Sequence, residues 1–174
     1  MKIGFVGLGN MGNAIAVNLL KAGHKLVIND LARELQSNLE LQGAKWCDDL
    51  TKLGVGCEVV FTALPGPADV EEVMLGANGV LNGMDRGAFY IDLTTSSAAT
   101  MGKVAAAAAN KGVRVLDAPM TGGVLNAKEA SLTLQVGAEA ADFKACEPLL
   151  KLIGQQVLHL GPPGAGTAAK LANK

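Results

Sequence analysis

Three glycines near the start of the chain, Gly7, Gly9 and Gly12 in GLGNMG, stand at the spacing at which a backbone wraps a diphosphate. In such a turn the first glycine lets the chain reverse tightly and the second lets the main chain approach the anion. The third lets the following helix pack closely on the strand. With Leu8, Asn10 and Met11 between the glycines, the turn leads into a helix start, which adds unpaired N–H groups and a partial positive charge. The spacing alone is a weak signal, because glycine-rich turns are common, but its surroundings strengthen it. An apolar run (2–6) precedes it, and an amphipathic pattern of Ile15, Leu19 and Ala22, closed by Gly23, follows. Asn29 and Asp30 then end the next apolar run. A carboxylate roughly 20 residues beyond the glycines accepts the hydroxyls of a ribose. Asp30 therefore points to NAD and away from NADP, whose 2′-phosphate it would repel. Leu31 offers that phosphate no cation, although Arg33 is close by. The alternative role for Asp30 is as a helix-capping surface residue.

The elements that must hold these residues follow from periodicity. Apolar runs at 2–6, 25–28, 59–64, 89–93, 113–116, 132–136 and 157–160, with a weaker one at 44–47, predict strands. They are continuous rather than alternating, as expected of strands buried on both faces. Helical spacing lies between them. Leu31, Leu35 and Leu39 precede Gly43, and Pro67 suits the first helical position of PADVEEVM, which also carries Asp69. The segment AATMGKVAAAAANKG ends at Gly112 and has residues 94–97 available for capping. Phe143, Cys146, Leu150 and Ile153 precede Gly154, and GAGTAAKLANK opens a last helical pattern. Strand and helix alternating at this density predict an α/β fold: a Rossmann-like, doubly wound, mostly parallel sheet with helices on both faces.

Composition narrows the function. The 174 residues are 49% apolar and only 3% aromatic, with net charge −1. That suits tightly packed helix-on-sheet layers and lacks the basic footprint of a nucleic-acid binder. Cys47, Cys57 and Cys146 are odd in number and have neither disulfide nor metal-ligand spacing, so buried thiols and no metal are expected. No signal-peptide pattern and no apolar stretch of membrane-spanning length is present. The expectation is a cytoplasmic protein with no nucleic-acid or membrane partner.

Taken in order, FVGLGNMG, NLLKAGH, VVFTALP, IDLTTSS, DAPMTGG and GAGTAAKLAN resemble the β-hydroxyacid dehydrogenase family, whose members include 3-hydroxyisobutyrate dehydrogenase and tartronate semialdehyde reductase. The resemblance runs along the whole chain. It implies that Leu64, Pro65 and Thr95 line the nicotinamide half of an NAD site, and Asp69 joins the candidate cofactor set. It implies that Thr121, Gly122 and Gly123 hold the carboxylate of a small substrate. Read without the family, that loop is equally a strand-to-strand turn. The resemblance also makes Lys170 the catalytic lysine, which by spacing alone would be an exposed helix lysine. An ammonium there stabilises negative charge on a carbonyl oxygen and donates the proton; in the reverse direction the neutral amine accepts one. Asn173, one helical turn on, faces the same side.

Ala98 stands where proline is common in the family, and Thr121 where serine is commoner, which keeps the hydroxyl but narrows the pocket. Family members continue past the lysine into a long helix and an all-α domain, and the whole proteins are expected to be homo-oligomers. Residues 1–163 are therefore expected to form the dinucleotide-binding domain and 164–174 the start of the interdomain helix. The all-α domain lies outside this sequence, so little turnover is expected of this part alone. The expected function is transfer of hydride between NAD and a small β-hydroxy acid or its semialdehyde. The alternatives are a non-catalytic NAD-binding module and an NADP-linked 6-phosphogluconate-type relative. Lys170 speaks against an imine-reducing relative.

Overall fold

The computed structural model describes residues 1–172. The chain opens with β1 (Lys2–Val6), α1 (Asn10–Lys21) and β2 (Lys25–Asn29). A single 3₁₀ turn (Arg33–Gln36) then leads into α2 (Ser37–Leu41), β3 (Lys45–Trp46), α3 (Leu50–Gly54), β4 (Val59–Thr62) and α4 (Pro67–Leu75). After a second 3₁₀ turn (Val80–Gly83) come β5 (Phe89–Asp92), α5 (Ala98–Lys111), β6 (Arg114–Asp117), β7 (Met120–Thr121) and α6 (Val124–Lys128). The described part ends with β8 (Leu132–Gly137), α7 (Ala140–Leu150), β9 (Gly154–Gly161) and α8 (Ala165–Ala172).

One sheet contains all nine strands of the described residues. Six run parallel in the order β3-β2-β1-β4-β5-β6, the order of a doubly wound dinucleotide-binding sheet. Beyond β6 the direction changes: β8 lies antiparallel to β6 and to β7, and β9 lies parallel to β8. The reason is the short connection. The chain leaves β6 through β7 and the single-turn α6 instead of a full crossover helix, so it returns reversed.

Two apolar layers hold the sheet. On one face Phe5, Ile15, Leu19, Ile28, Leu116, Leu134 and Leu150 are fully buried; on the other, Val60, Tyr90, Met74, Val104 and Ala108 are. The helix punctuation follows the sequence. Gly23 and Gly112 take positive φ at helix ends, Pro67 opens α4, and the Ser97 hydroxyl caps α5 by accepting from Thr100 N–H.

Four expectations change. Leu31, Leu35 and Leu39 do not form one helical stripe: Leu31 lies fully exposed in the loop after Asp30, Leu35 is in the 3₁₀ turn, and only Leu39 is buried. Ala22 is an exposed helix end rather than part of the buried face of α1. Ile153 falls after α7, and the last strand begins at Gly154 rather than 157. That strand, β9, is an edge, so Leu158 and Leu160 are exposed instead of buried on both sides.

Candidate functional site

The site lies at the carboxyl ends of the parallel strands, where the order reverses about β1 and β4. Gly7 has φ of +103°, and a Cβ there would lie 2.2 Å from the Ala63 carbonyl oxygen; a Cβ on Gly12 would lie 1.9 Å from the Gly7 carbonyl oxygen. Both positions admit only glycine. Gly9 differs, because a Cβ there would meet nothing within 4 Å. Its open side faces away from the protein, as a ledge for a diphosphate requires. No side chain caps α1, so the first-turn N–H groups of Asn10, Met11 and Gly12 are left without an internal cap. These residues fit a dinucleotide, and they would hold its pyrophosphate. Beside the turn runs a cleft of ≈ 510 Å³ lined by Gly9, Asn10, Asn13, Val17, Leu35 and Val124. Asn13 and Asn38 exchange amide hydrogen bonds across one wall, 2.9 Å each way.

Asp30 is half-buried and already oriented. Its Oδ2 accepts from Leu8 N–H at 2.5 Å and its Oδ1 from Ala32 N–H at 2.8 Å. Each oxygen keeps a lone pair for a ribose hydroxyl. Arg33 is held to one side: its guanidinium lies 4.6 Å from the Trp46 ring centroid and 3.7 Å from a Glu40 carboxylate oxygen. Asn29 is turned to the sheet, donating to the Cys47 carbonyl at 2.8 Å. Asp69 sits in the first turn of α4, where its charge suits the helix dipole.

Beyond β4 and β5, half-buried Leu64, exposed Pro65 and half-buried Thr95 border the same end of the sheet. Beneath them is a buried polar group that the sequence reading missed. Thr94 Oγ1 accepts from Leu64 N–H at 3.0 Å, and Asp92 Oδ1 accepts from Thr94 N–H and Thr62 Oγ1, both at 2.9 Å. Tyr90 and Thr62 share a 2.5 Å hydroxyl contact. Burial pushes the Asp92 carboxyl up to about 6, against the hydrogen bonds from Thr94 and Thr62. The signal lay in IDLTTSS, where an aspartate ends an apolar run.

Thr121 closes β7, Gly122 follows it and Gly123 is the residue before α6; all three are exposed. The turn joins a strand to a helix, not a strand to a strand. Gly122 has φ of +131°. Asn18 of α1 donates to the Ala127 carbonyl at 2.8 Å, fixing α6 to the helix that follows the glycine turn. Lys170 on α8 reaches this loop, its Nζ donating to Thr121 Oγ1 and to the Met120 carbonyl, each at 3.0 Å. The start of α8 is held by Asp117, whose two oxygens accept from Gly164 N–H at 2.7 Å and Thr167 N–H at 2.6 Å. Asp117 was in plain view in DAPMTGG, but nothing local in the sequence links it to residues 164–167. Asn173 lies outside the described residues. A second cleft, ≈ 440 Å³, opens at the opposite, amino-terminal edge of the strands and shares no residue with the site.

Fold and glycine turn together define a dinucleotide-binding domain. The family profile described as the NAD binding domain of 6-phosphogluconate dehydrogenase matches residues 2–161, and the chain belongs to that family. Among curated proteins, it is 42% identical over 171 residues to 3-hydroxyisobutyrate dehydrogenase of Pseudomonas aeruginosa. It is 39% identical over 173 residues to 2-(hydroxymethyl)glutarate dehydrogenase of Eubacterium barkeri. These alignments cover 98% and 99% of the chain but 57% and 58% of the relatives. The structure of Mycobacterium tuberculosis 3-hydroxyisobutyrate dehydrogenase with L-serine superposes with a TM-score of 0.93 at 32% identity, covering 99% of this chain and 58% of that one. The chain is thus an NAD-binding domain of the kind found in 3-hydroxyisobutyrate dehydrogenase-like oxidoreductases, and it spans about 60% of the length of the relatives it matches. No helix among the described residues is long and apolar enough to cross a membrane.

Proposed function

We propose that this domain serves an NAD-dependent dehydrogenase that oxidises a primary alcohol β to a carboxylate, or reduces the matching semialdehyde. The observation that carries the reading is the 3.0 Å contact between Lys170 Nζ and Thr121 Oγ1, which joins the candidate proton donor to the candidate carboxylate loop. An ammonium has three donors. Two are used by Thr121 and Met120, and the third remains for the substrate oxygen. In oxidation the hydroxyl proton passes to Lys170 in its neutral form as the carbon–oxygen double bond forms; in reduction the ammonium returns it. Bound NAD supplies the acceptor for the hydride that leaves the carbinol carbon.

Thr121, Gly122 and Gly123 would hold the carboxylate, and Asn173 belongs to the same proposed substrate-binding set. Gly7 to Gly12, Asp30, Leu64, Pro65 and Thr95 would hold the cofactor, with Asn29 and Asp69 shaping its rim. Residues 164–172 would begin the connection to a further domain that closes the cleft and excludes water. A homo-oligomeric whole protein in the cytoplasm belongs to the same reading. The substrates in the relatives' names, 3-hydroxyisobutyrate, 2-(hydroxymethyl)glutarate and L-serine, share a hydroxymethyl group on the carbon that carries the carboxylate. They differ in the third substituent: methyl, carboxyethyl or amino. The test is NADH formation by the whole protein offered these three acids with NAD⁺. Turnover of at least one supports the reading; NAD⁺ binding without turnover of any would make the domain a binding module instead.

A further inference from the structure

The loops after β4 and β5 come from separate strands, yet one buried polar group ties them together. Thr62 and Asp92 are register partners at the ends of those strands. Just beyond them, Thr94 Oγ1 accepts from Leu64 N–H while Thr94 N–H donates to Asp92 Oδ1. Thr62 donates its hydroxyl to the same carboxylate oxygen, and Tyr90 donates to Thr62. Asp92 is 0% exposed and Thr94 3%. No Lys, Arg or His side chain pairs with Asp92 among the described residues. The nearest charged neighbour across the sheet is another carboxylate, Asp117, its register partner on β6. Asp92 Oδ2 is buried without a hydrogen-bond partner. Burying a carboxylate this way is costly, and an apolar residue would fill the space without that cost. What the polar group accomplishes is to satisfy the Leu64 amide and fix where the 63–66 backbone lies against 93–97.

We propose that Asp92 and Thr94 are positioning residues that set affinity for the nicotinamide end of the cofactor by bracing the Leu64–Pro65 loop against Thr95. Neither side chain touches the ligand; both act through the loop backbone. The proposal rests on the assignment of Leu64, Pro65 and Thr95 to the nicotinamide half of the site. Neither Asp92 nor Thr94 hydrogen-bonds to the pyrophosphate turn; the loop they brace meets that turn only through Ala63 and Leu64 beside Gly7.

The experiment compares NAD⁺ with ADP-ribose, which lacks the nicotinamide, by calorimetry on the 174-residue chain. In Thr94→Val the Kd for NAD⁺ should rise roughly 5- to 10-fold, the loss of one buried hydrogen bond, while the Kd for ADP-ribose stays within about 2-fold. Thr94→Ser, which keeps the hydroxyl, should restore NAD⁺ binding. General damage to the fold would weaken both ligands alike. Equal changes for both, or none for NAD⁺, overturn the brace. If the wild-type chain binds NAD⁺ and ADP-ribose equally, the nicotinamide assignment itself fails and the proposal falls with it. Amide exchange in the wild-type chain gives a test independent of any variant. The Leu64 N–H should exchange at least about 100-fold slower than an unprotected amide, and an unprotected Leu64 overturns the brace.

Discussion

Lys170 Nζ lies 3.0 Å from Thr121 Oγ1, bridging 49 residues of sequence between α8 and the end of β7. Because the contact joins the candidate proton donor to the candidate carboxylate loop and leaves the glycine turn untouched, its two partners should fail differently. In the whole protein, Lys170→Ala should lower kcat about 10²- to 10⁴-fold, while NAD⁺ affinity of the domain changes less than about 2-fold. Thr121→Val should raise KM for the hydroxy acid more than it lowers kcat, and Thr121→Ser should behave as wild type. Steady-state kinetics with calorimetry checks all three; a Lys170→Ala enzyme with unimpaired kcat refutes the role given to the lysine.

The glycine turn makes a sharper prediction, because its glycines are required for different reasons. A methyl on Gly12 would collide with the Gly7 carbonyl at 1.9 Å, whereas one on Gly9 would meet open space. Gly12→Ala should cost at least about 3 kcal/mol of stability. Gly9→Ala should unfold at the wild-type urea midpoint yet bind NAD⁺ at least about 10-fold more weakly, because the methyl occupies the ledge that the diphosphate needs. Normal NAD⁺ binding by Gly9→Ala would move the diphosphate elsewhere.

Asp30 reaches its place already hydrogen-bonded to Leu8 N–H and Ala32 N–H, so its carboxylate is held in one orientation, which suits the ribose-binding role proposed for it. Asp30→Ala should weaken NAD⁺ about 10-fold or more while leaving NADP⁺ unchanged or improved, since a repulsive charge is removed beside Arg33. The ratio of the two dissociation constants is the measurement. A wild-type chain that prefers NADP⁺ contradicts this account of Asp30.

How much was legible in the sequence follows from the range of the forces involved. Pro67, the Ser97 cap and Gly112 were readable because each acts within one or two turns of itself, whereas the glycine turn and Asp30 stood out by their mutual spacing, although Asp30 meets Leu8 22 residues away. The parallel half of the sheet was readable because β1, β4 and β5 are near-continuous apolar runs. By contrast, α3, α6 and β7 span five residues or fewer and leave no periodic signal. The Leu31, Leu35 and Leu39 spacing suggested a helix that tertiary packing did not accept, since only Leu39 has core to meet. Asp117 and Thr94 act across 50 and 30 residues of chain, and one sequence holds no trace of such pairings. Lys170 and Thr121 were reached only through family resemblance, for the same reason.

Asp117 acts as a cap supplied from another element. Its two oxygens take the Gly164 and Thr167 amides at 2.7 and 2.6 Å, which fixes the first turn of the helix that carries Lys170. Asp117→Asn retains one acceptor and presents a donor where the other stood, facing an N–H. The loss of a charge-assisted bond should cost about 2 kcal/mol in urea unfolding. It should also raise amide exchange in 165–170 more than in α1. Uniform exchange changes across the chain would make Asp117 an ordinary core residue rather than the anchor of α8.

Asp92 gives the pH dependence its sign. Its carboxyl is raised by burial from an ordinary value near 3.8 to about 6 in the folded chain. Below pH 3.8 it is protonated in both the folded and unfolded states and its contribution to stability is fully present. Between 3.8 and 6 the folded state holds a proton that the unfolded state has released, so stability falls as pH rises, and above about 6 the loss is complete. The span corresponds to about 2–3 kcal/mol. Other carboxylates oppose this trend; Glu71, held down by Thr100 and Lys103, is one. The quantity to measure is therefore the stability difference between wild type and Asp92→Asn. Asparagine keeps an oxygen for Thr94 and Thr62 but cannot ionise, so the variant should gain on wild type by about 2–3 kcal/mol between pH 4 and pH 7 in urea unfolding. A difference that stays constant over that range would mean that Asp92 ionises in the folded chain as readily as in the unfolded one.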